Sequence, residues 1–218
     1  GFPCRINDIA DICQEWGINL IEDAAESLGS YSLTKHTGTI GNLGTLSFNG
    51  NKLITTGGGG AVLCDSKDSG ERLKHITTTA KIPHPYEFFH DELGFNFRMP
   101  NINAALGCAQ IEKINTFLKQ KRKIAHAYKD FFSETEFQFI EEPEYAKSNY
   151  WLNSVMCPDE ESRVNLLEET NTMGVMTRPI WTLLNKLPMF SNSLQGGLSV
   201  SEKFERHIIN LPSSPIDI

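Results

Sequence analysis

Two side chains in this 218-residue sequence have the type and setting for carbonyl chemistry: Lys52, on a polar turn, and Asp23, at the end of an apolar run. A lysine amine attacks a carbonyl only after losing its proton, so burial or a nearby positive charge must bring its pKa down from roughly 10.4. Residues 44–60, GTLSFNGNKLITTGGGG, offer such a setting: a β-like run, a turn carrying Lys52, a second β-like run and four glycines. Phe48, Leu53 and Ile54 flank the lysine, and Ser47 and Asn49 add a hydroxyl and an amide that could hold a phosphate or a ring oxygen. A solvated turn lysine is the ordinary alternative, and spacing alone does not choose. Asp23 follows Ile18-Asn19-Leu20-Ile21-Glu22. A carboxylate at a strand end can pair with a protonated ring nitrogen and keep it cationic, as an electron-sink cofactor requires. The pattern Asp23-Ala-Ala-Glu26 equally fits a capping box, which would explain both acids without chemistry.

Other chemistries lack their residues. The glycines at 57–60 are not followed by Gly-Lys-Ser/Thr, and no G-x-G-x-x-G joins a strand to a helix. Their expected use is backbone freedom where the chain passes close to a bound group. The six histidines show no metal-ligand spacing, so each reads as a surface or packing residue and no structural metal is expected. No serine nucleophile elbow is present.

The elements that must position these groups follow from periodicity. Ile6, Ile9, Ala10, Cys13 and Trp16 recur at helical spacing and Gly17 follows, which predicts a helix over 5–16. Helix, glycine, buried strand and acid make an α/β unit, in which ligands gather at the carboxyl ends of strands. Strands are expected over 45–48, 53–56 and 61–64, and a helix over 68–76. Residues 77–99 read as a long irregular loop, of the kind that is functional or bridges subunits. Pro100 opens one long helix to about 132, or two joined near Gln120. Strands near 137–140, 150–156 and 175–178 and helices near 159–172 and 200–208 complete a smaller second domain, giving domains over 1–132 and 133–218.

Composition bounds the rest. A net charge of −7 without a basic run argues against nucleic acid as a partner. No apolar run approaches the ~18 residues of a membrane span, and the N-terminus lacks a signal pattern. Five widely spaced cysteines without C-x-x-C pairs favour reduced, mostly buried thiols and a cytoplasmic location.

Taken in order, Glu22-Asp-Ala-Ala-Glu-Ser27, Gly38-Thr-Ile-Gly41, Ser47-Phe-Asn-Gly-Asn-Lys52, the glycine run, the segment from Gly94 to Gly107 and Thr177-Arg-Pro-Ile-Trp181 resemble the DegT/DnrJ/EryC1/StrS family of pyridoxal-phosphate sugar aminotransferases. The resemblance covers nearly the whole chain and is strongest to the branch acting on nucleotide-linked 4-keto-6-deoxy-N-acetylhexosamines, on routes to bacillosamine- or legionaminic-type sugars. It implies an α/β fold, the C-terminal portion of a fold-type-I transferase, and a homodimer with shared active sites. It implies that Lys52 makes a covalent imine with pyridoxal 5'-phosphate and shuttles a proton, and that Asp23 pairs with the pyridine nitrogen. Glu26 stands where many relatives have Gln or His near the ring. Ser47 would bind the cofactor phosphate, Asn96 the phosphate in the neighbouring subunit, and Arg178 and Trp181 the sugar-nucleotide. Asn185 stands where many relatives have a histidine. Related dehydratases carry histidine in place of the lysine, so Lys52 favours transamination, with glutamate loading the amine in a ping-pong cycle. The N-terminal portion that cradles the phosphate and stacks on the ring in relatives has no counterpart here. The alternative is a non-catalytic fragment or regulatory homologue that keeps the dimer surface.

Overall fold

The computed structural model describes residues 1–215. In chain order the elements are α1 (Ile6–Glu15), β1 (Ile21–Asp23), β2 (Tyr31–Ser32), β3 (Lys35–His36), β4 (Leu43–Ser47), β5 (Gly60–Cys64), α2 (Lys67–Thr77), β6 (Lys81–Ile82) and β7 (Phe89–His90). They continue with α3 (Asn101–Ile111), α4 (Ile114–Phe132), β8 (Gln138–Phe139), β9 (Ala146–Lys147), β10 (Asn153–Met156), α5 (Glu160–Thr172), β11 (Arg178–Pro179), α6 (Ser199–His207) and β12 (Ile208–Leu211). The chain forms two compact units, Gly1–Leu118 with Pro143–Asn149, and Lys119–Glu142 with Tyr150–Ile218. This division differs from the expected boundary at 132/133, because it falls inside α4 and the short 143–149 segment returns to the first unit. The last residues of the expected second domain, 216–218, lie outside the described ones.

In the first unit β1 runs parallel to β4, with Asp23 opposite Thr45, and β4 runs antiparallel to β5. The buried Glu22 carboxylate fastens this sheet to the 38–41 loop: it accepts the backbone N–H of Gly38 at 2.7 Å, Ile40 at 2.5 Å and Gly41 at 2.6 Å. Gly44 lies so close to the Gly38 carbonyl that a Cβ there would overlap it, so β4 needs glycine at this point. The expected apolar face of α1 is only partly used. Ile6 is buried, whereas Ile9 and Trp16 stay exposed because none of the described residues covers that side.

Two local expectations need correction. Residues 53–56 form no strand; Ile54 and Thr56 are buried, but the backbone there is taken up by loop bonds rather than a ladder. The helical stretch after Pro100 does break in two, but at Glu112–Lys113 rather than near Gln120, with no glycine or proline to mark the place. The segment read as irregular holds the short hairpin β6–β7, in register Lys81 with His90 and Ile82 with Phe89. It is tied back to α2 by the Arg72–Glu92 ion pair and by His75 Nε2 to Asp91 Oδ1 at 2.7 Å.

The second unit is an antiparallel sheet in the order β11-β12-β10-β8. Val155, Cys157, Ile209 and Leu211 form its core, packed by Tyr128 and Phe132 of α4 and Leu166 and Leu167 of α5. Asp159 caps α5, its Oδ1 accepting the Ser162 N–H at 2.7 Å. Among the five cysteines, all free, only Cys157 is buried, which corrects the expectation of mostly buried thiols. Burial pushes its thiol up to about 11, away from reactivity.

Lys121 is also buried, and its ammonium donates to the Trp151 and Ser213 carbonyls, both at 2.7 Å. Burial lowers its pKa from 10.5 to about 8. Between these values the unfolded chain holds the proton that the folded chain has released. Stability therefore rises with pH from about 8 to 10.5, and below this window the full cost of burying the charge, on the order of 3 kcal/mol, is present. Urea unfolding at pH 7.5 and 9.5 checks this: the second unit of the unmodified chain is expected to gain stability at the higher pH, and a Lys121→Met variant is expected to lose that gain.

Candidate active site

The turn that carries Lys52 lies in the first unit. After β4 the chain turns at Asn49, whose carbonyl accepts the Lys52 N–H at 3.1 Å. It returns past the Phe48 carbonyl, which accepts the Thr56 N–H at 3.0 Å and the Thr55 hydroxyl at 3.2 Å. Helix α3 pins the far side: Asn103 Nδ2 donates to the Thr56 carbonyl at 2.5 Å, Gln110 Oε1 accepts the Thr55 N–H at 3.4 Å, and Gly107 leaves room for the Thr56 methyl. Gly57 and Gly59, with φ of +79° and +103°, take the left-handed turns that bring the chain back into β5. The Lys52 side chain is 13% exposed, and its Nζ lies 3.2 Å from Glu26 Oε1.

The acids sit at the carboxyl end of β1. Asp23 Oδ1 accepts the Ala25 N–H at 3.2 Å and the Thr45 hydroxyl at 3.3 Å, which orients the carboxylate and leaves Oδ2 without a hydrogen bond among the described residues. No helix follows, and Glu26 reaches Lys52 instead of turning back to the Asp23 amide. The capping-box alternative is therefore not the arrangement formed. Asp23 also borders an open cleft of about 370 Å³ with Ile6, Ile21 and Ala24.

A distant side chain locks the turn bearing these acids. Asn149, fully buried, donates through Nδ2 to the Glu26 carbonyl at 3.0 Å and the Leu28 carbonyl at 2.9 Å, while its backbone N–H donates to Ser30 Oγ at 2.9 Å. Sequence reasoning missed Asn149, Glu22, Asn103 and Gln110, since each acts across a long stretch of chain and no local period marks it.

The remaining residues singled out from sequence stand as follows. Ser47 ends β4, and its Oγ accepts the Asn49 N–H at 3.4 Å. Asn96 is exposed and forms a β-bridge with Thr78. In the second unit, exposed Arg178 donates to Asn171 Oδ1 at 3.2 Å and to the Thr177 carbonyl at 3.0 Å, and Trp181 stacks on Trp151 with ring centroids 6.1 Å apart. Asn185 borders a cavity of about 520 Å³ with Leu183, Phe190 and Leu194, and its Oδ1 finds no hydrogen bond among the described residues. The structure brings Lys52, Glu26, Asp23 and Ser47 to adjoining strand ends and turns of one sheet.

The fold has clear counterparts among solved structures. The chain matches the aminotransferase TlmJ from Streptoalloteichus hindustanus with a TM-score of 0.92 at 24% identity, covering 99% of this chain and 58% of that one. It matches Helicobacter pylori PseC, an aminotransferase of pseudoaminic acid biosynthesis, with a TM-score of 0.91 at 21% identity, covering 98% and 59%. These matches define the fold as that of the pyridoxal-phosphate-dependent aminotransferases. The profile of the DegT/DnrJ/EryC1/StrS aminotransferase family matches residues 1–216, and the chain belongs to that family. It is 35% identical to GDP-perosamine synthase of Escherichia coli O157:H7 over 99% of its length and 58% of that protein. It is 28% identical to a UDP-4-amino-4,6-dideoxy-N-acetyl-beta-L-altrosamine transaminase of Campylobacter jejuni over 83% of its length and 50% of that protein. The chain thus spans about 58% of the length of the GDP-perosamine synthases it matches over nearly its full extent. Among the described residues no helix is long and apolar enough to cross a membrane.

Proposed function

We propose that the chain carries the lysine-bearing part of an aminotransferase that moves an amino group from glutamate, by way of pyridoxal phosphate, to a nucleotide-linked 4-keto-6-deoxy-hexosamine. The observation that carries this reading is the Lys52 side chain, 13% exposed, with its amine 3.2 Å from the carboxylate of Glu26, three residues beyond the strand-end Asp23. The donor set suits the cofactor: an amine, an oriented carboxylate with one oxygen open, and a hydroxyl at the end of the adjacent strand.

When bound, pyridoxal phosphate supplies an electron sink for the pair left behind as the α C–H bond breaks. Lys52 is the residue that would hold this group covalently, and its Nζ would take up and return the proton released from the substrate carbon. Asp23 accepts the pyridinium N–H through its open oxygen and keeps the ring protonated. Glu26, in contact with Nζ, orients the amine. Ser47 binds the cofactor phosphate through its hydroxyl, with Asn96 contributing in a homodimer with shared sites, and Arg178 and Trp181 bind the sugar-nucleotide. Relatives named for GDP-, UDP- and dTDP-linked sugars support the nucleotide-sugar class.

Product analysis with labelled glutamate and a panel of UDP- and GDP-linked keto sugars tests the reading. Label in the sugar amine with 2-oxoglutarate as co-product is the expected result. A complete protein that binds the cofactor on Lys52 but transfers label to none of these sugars overturns the substrate assignment.

A further inference from the structure

Asn149 has no part in the chemistry proposed above, yet it is 1% exposed and its donors go to residues 26–30. The segment that delivers it pairs with the chain just beyond this turn: β9 runs antiparallel to β2, with Lys147 opposite Tyr31 and Ala146 opposite Ser32. The two partners of its side chain are backbone carbonyls, Glu26 at 3.0 Å and Leu28 at 2.9 Å, so the amide nitrogen and not the oxygen must face them. Between and beyond these bonds, the Thr37 hydroxyl donates to the Ser27 carbonyl at 2.8 Å and His36 Nε2 accepts the Gly29 N–H at 2.7 Å. With Glu26, Ser27, Leu28 and Gly29 each held, the backbone at Glu26 has a fixed place and direction. The Glu26 side chain spans the remaining gap and ends with Oε1 3.2 Å from Lys52 Nζ.

We propose that Asn149 is a positioning residue for Lys52: by fixing the backbone at Glu26, it sets where the Glu26 carboxylate holds the amine. Without its two N–H donors the Glu26 and Leu28 carbonyls lose these partners, and the turn shifts to find others. The carboxylate moves with its backbone, and its hold on Nζ loosens. An amine displaced by about 1 Å meets a carbonyl carbon in poor alignment, at a cost on the order of 10²-fold in rate. Aspartate cannot replace Asn149, since an ionised carboxylate only accepts and would oppose both carbonyls. The consequence for amino transfer rests on the aminotransferase reading above; the control of the amine rests on the hydrogen bonds alone.

Reductive methylation with formaldehyde and cyanoborohydride, read peptide by peptide by mass spectrometry, tests this on the chain itself without cofactor. An amine released from its carboxylate is more open to the aldehyde, so Asn149→Ala should raise the Lys52 rate roughly threefold or more, as should Glu26→Ala. The double variant should exceed Glu26→Ala by less than about 1.5-fold, because both changes release the same contact. Lys121, buried in the second unit, gauges global loosening and should keep its rate. Should Asn149→Ala not fold, Asn149→Ser, which keeps one donor, must raise the Lys52 rate and show the same dependence on Glu26. An unchanged Lys52 rate, a rise shared by Lys121, or an equal rise with and without the Glu26 carboxylate overturns the proposal. In the complete protein, Asn149→Ala should lower kcat for amino transfer roughly tenfold or more and shift KM for glutamate less than about threefold. A complete protein that takes no pyridoxal phosphate on Lys52 overturns the aminotransferase reading and leaves the methylation rates to decide the role of Asn149.

Discussion

On the proposed function, replacing Lys52 with alanine is expected to lower amino transfer by the complete protein on the order of 10⁴-fold or more, because one side chain would supply both covalent attachment and proton transfer. The Lys52 turn is pinned by Asn103 and Gln110 of α3, and the side chain is 13% exposed. Borohydride treatment in the presence of pyridoxal phosphate, followed by peptide mass analysis, gives a reading independent of turnover. The label should appear on the peptide bearing Lys52 and vanish in the variant. A label of equal yield elsewhere in the Lys52→Ala protein would refute the assignment. Glu26→Gln serves as a milder comparison, keeping an acceptor oxygen near Nζ while removing the charge.

The second large effect is structural and reaches the site through the sheet. Gly44→Ala would drive a methyl group into the Gly38 carbonyl, and that contact is backbone on backbone, with no side chain that can swing away. The Gly38 amide is itself held by the Glu22 carboxylate, so the loop cannot retreat without breaking that bond. A destabilisation of about 3 kcal/mol is expected. Because β4 carries the chain into the Lys52 turn, cofactor attachment should fall with stability. Thermal unfolding of the variant alongside Gly17→Ala provides the measure: Gly17 has open space around it, so its cost is that of a left-handed backbone alone.

What could be read from the sequence, and what could not, separates along the length scale of the interactions. Helix α5 was legible because its cap and its first turn are neighbours in sequence, Asp159 and Ser162. The turn carrying Lys52 and the acid ending β1 were legible for the same reason, since polar residues interrupt short apolar runs there. The run 53–56 misled because β-prone residues read the same whether they pair in a ladder or are buried against a helix. Here α3 takes their hydrogen bonds, and nothing local announces that. Strand β12 escaped notice because it follows α6 directly, without a turn residue between them. Asp23 and Glu26 were both open to a capping box, and only the approach of Nζ to Glu26 across 26 positions shows that Glu26 is engaged elsewhere. Five conspicuous cysteines carried less information than their number suggested: four of them lie at or near the surface.

The amide of Asn149 reaches back 123 positions to the turn of Glu26 and 121 to that of Leu28. A ribosome must therefore deliver most of the polypeptide before the acid-bearing turn can acquire its last fastening. Until then the turn lacks the Asn149 bonds, so the neighbourhood of Lys52 and Glu26 is finished late in synthesis. For the experimenter the same geometry means that no single cut, at residue 118 or at 132, yields a first unit with that turn secured; a dissected fragment needs the peptide around Asn149 supplied with it.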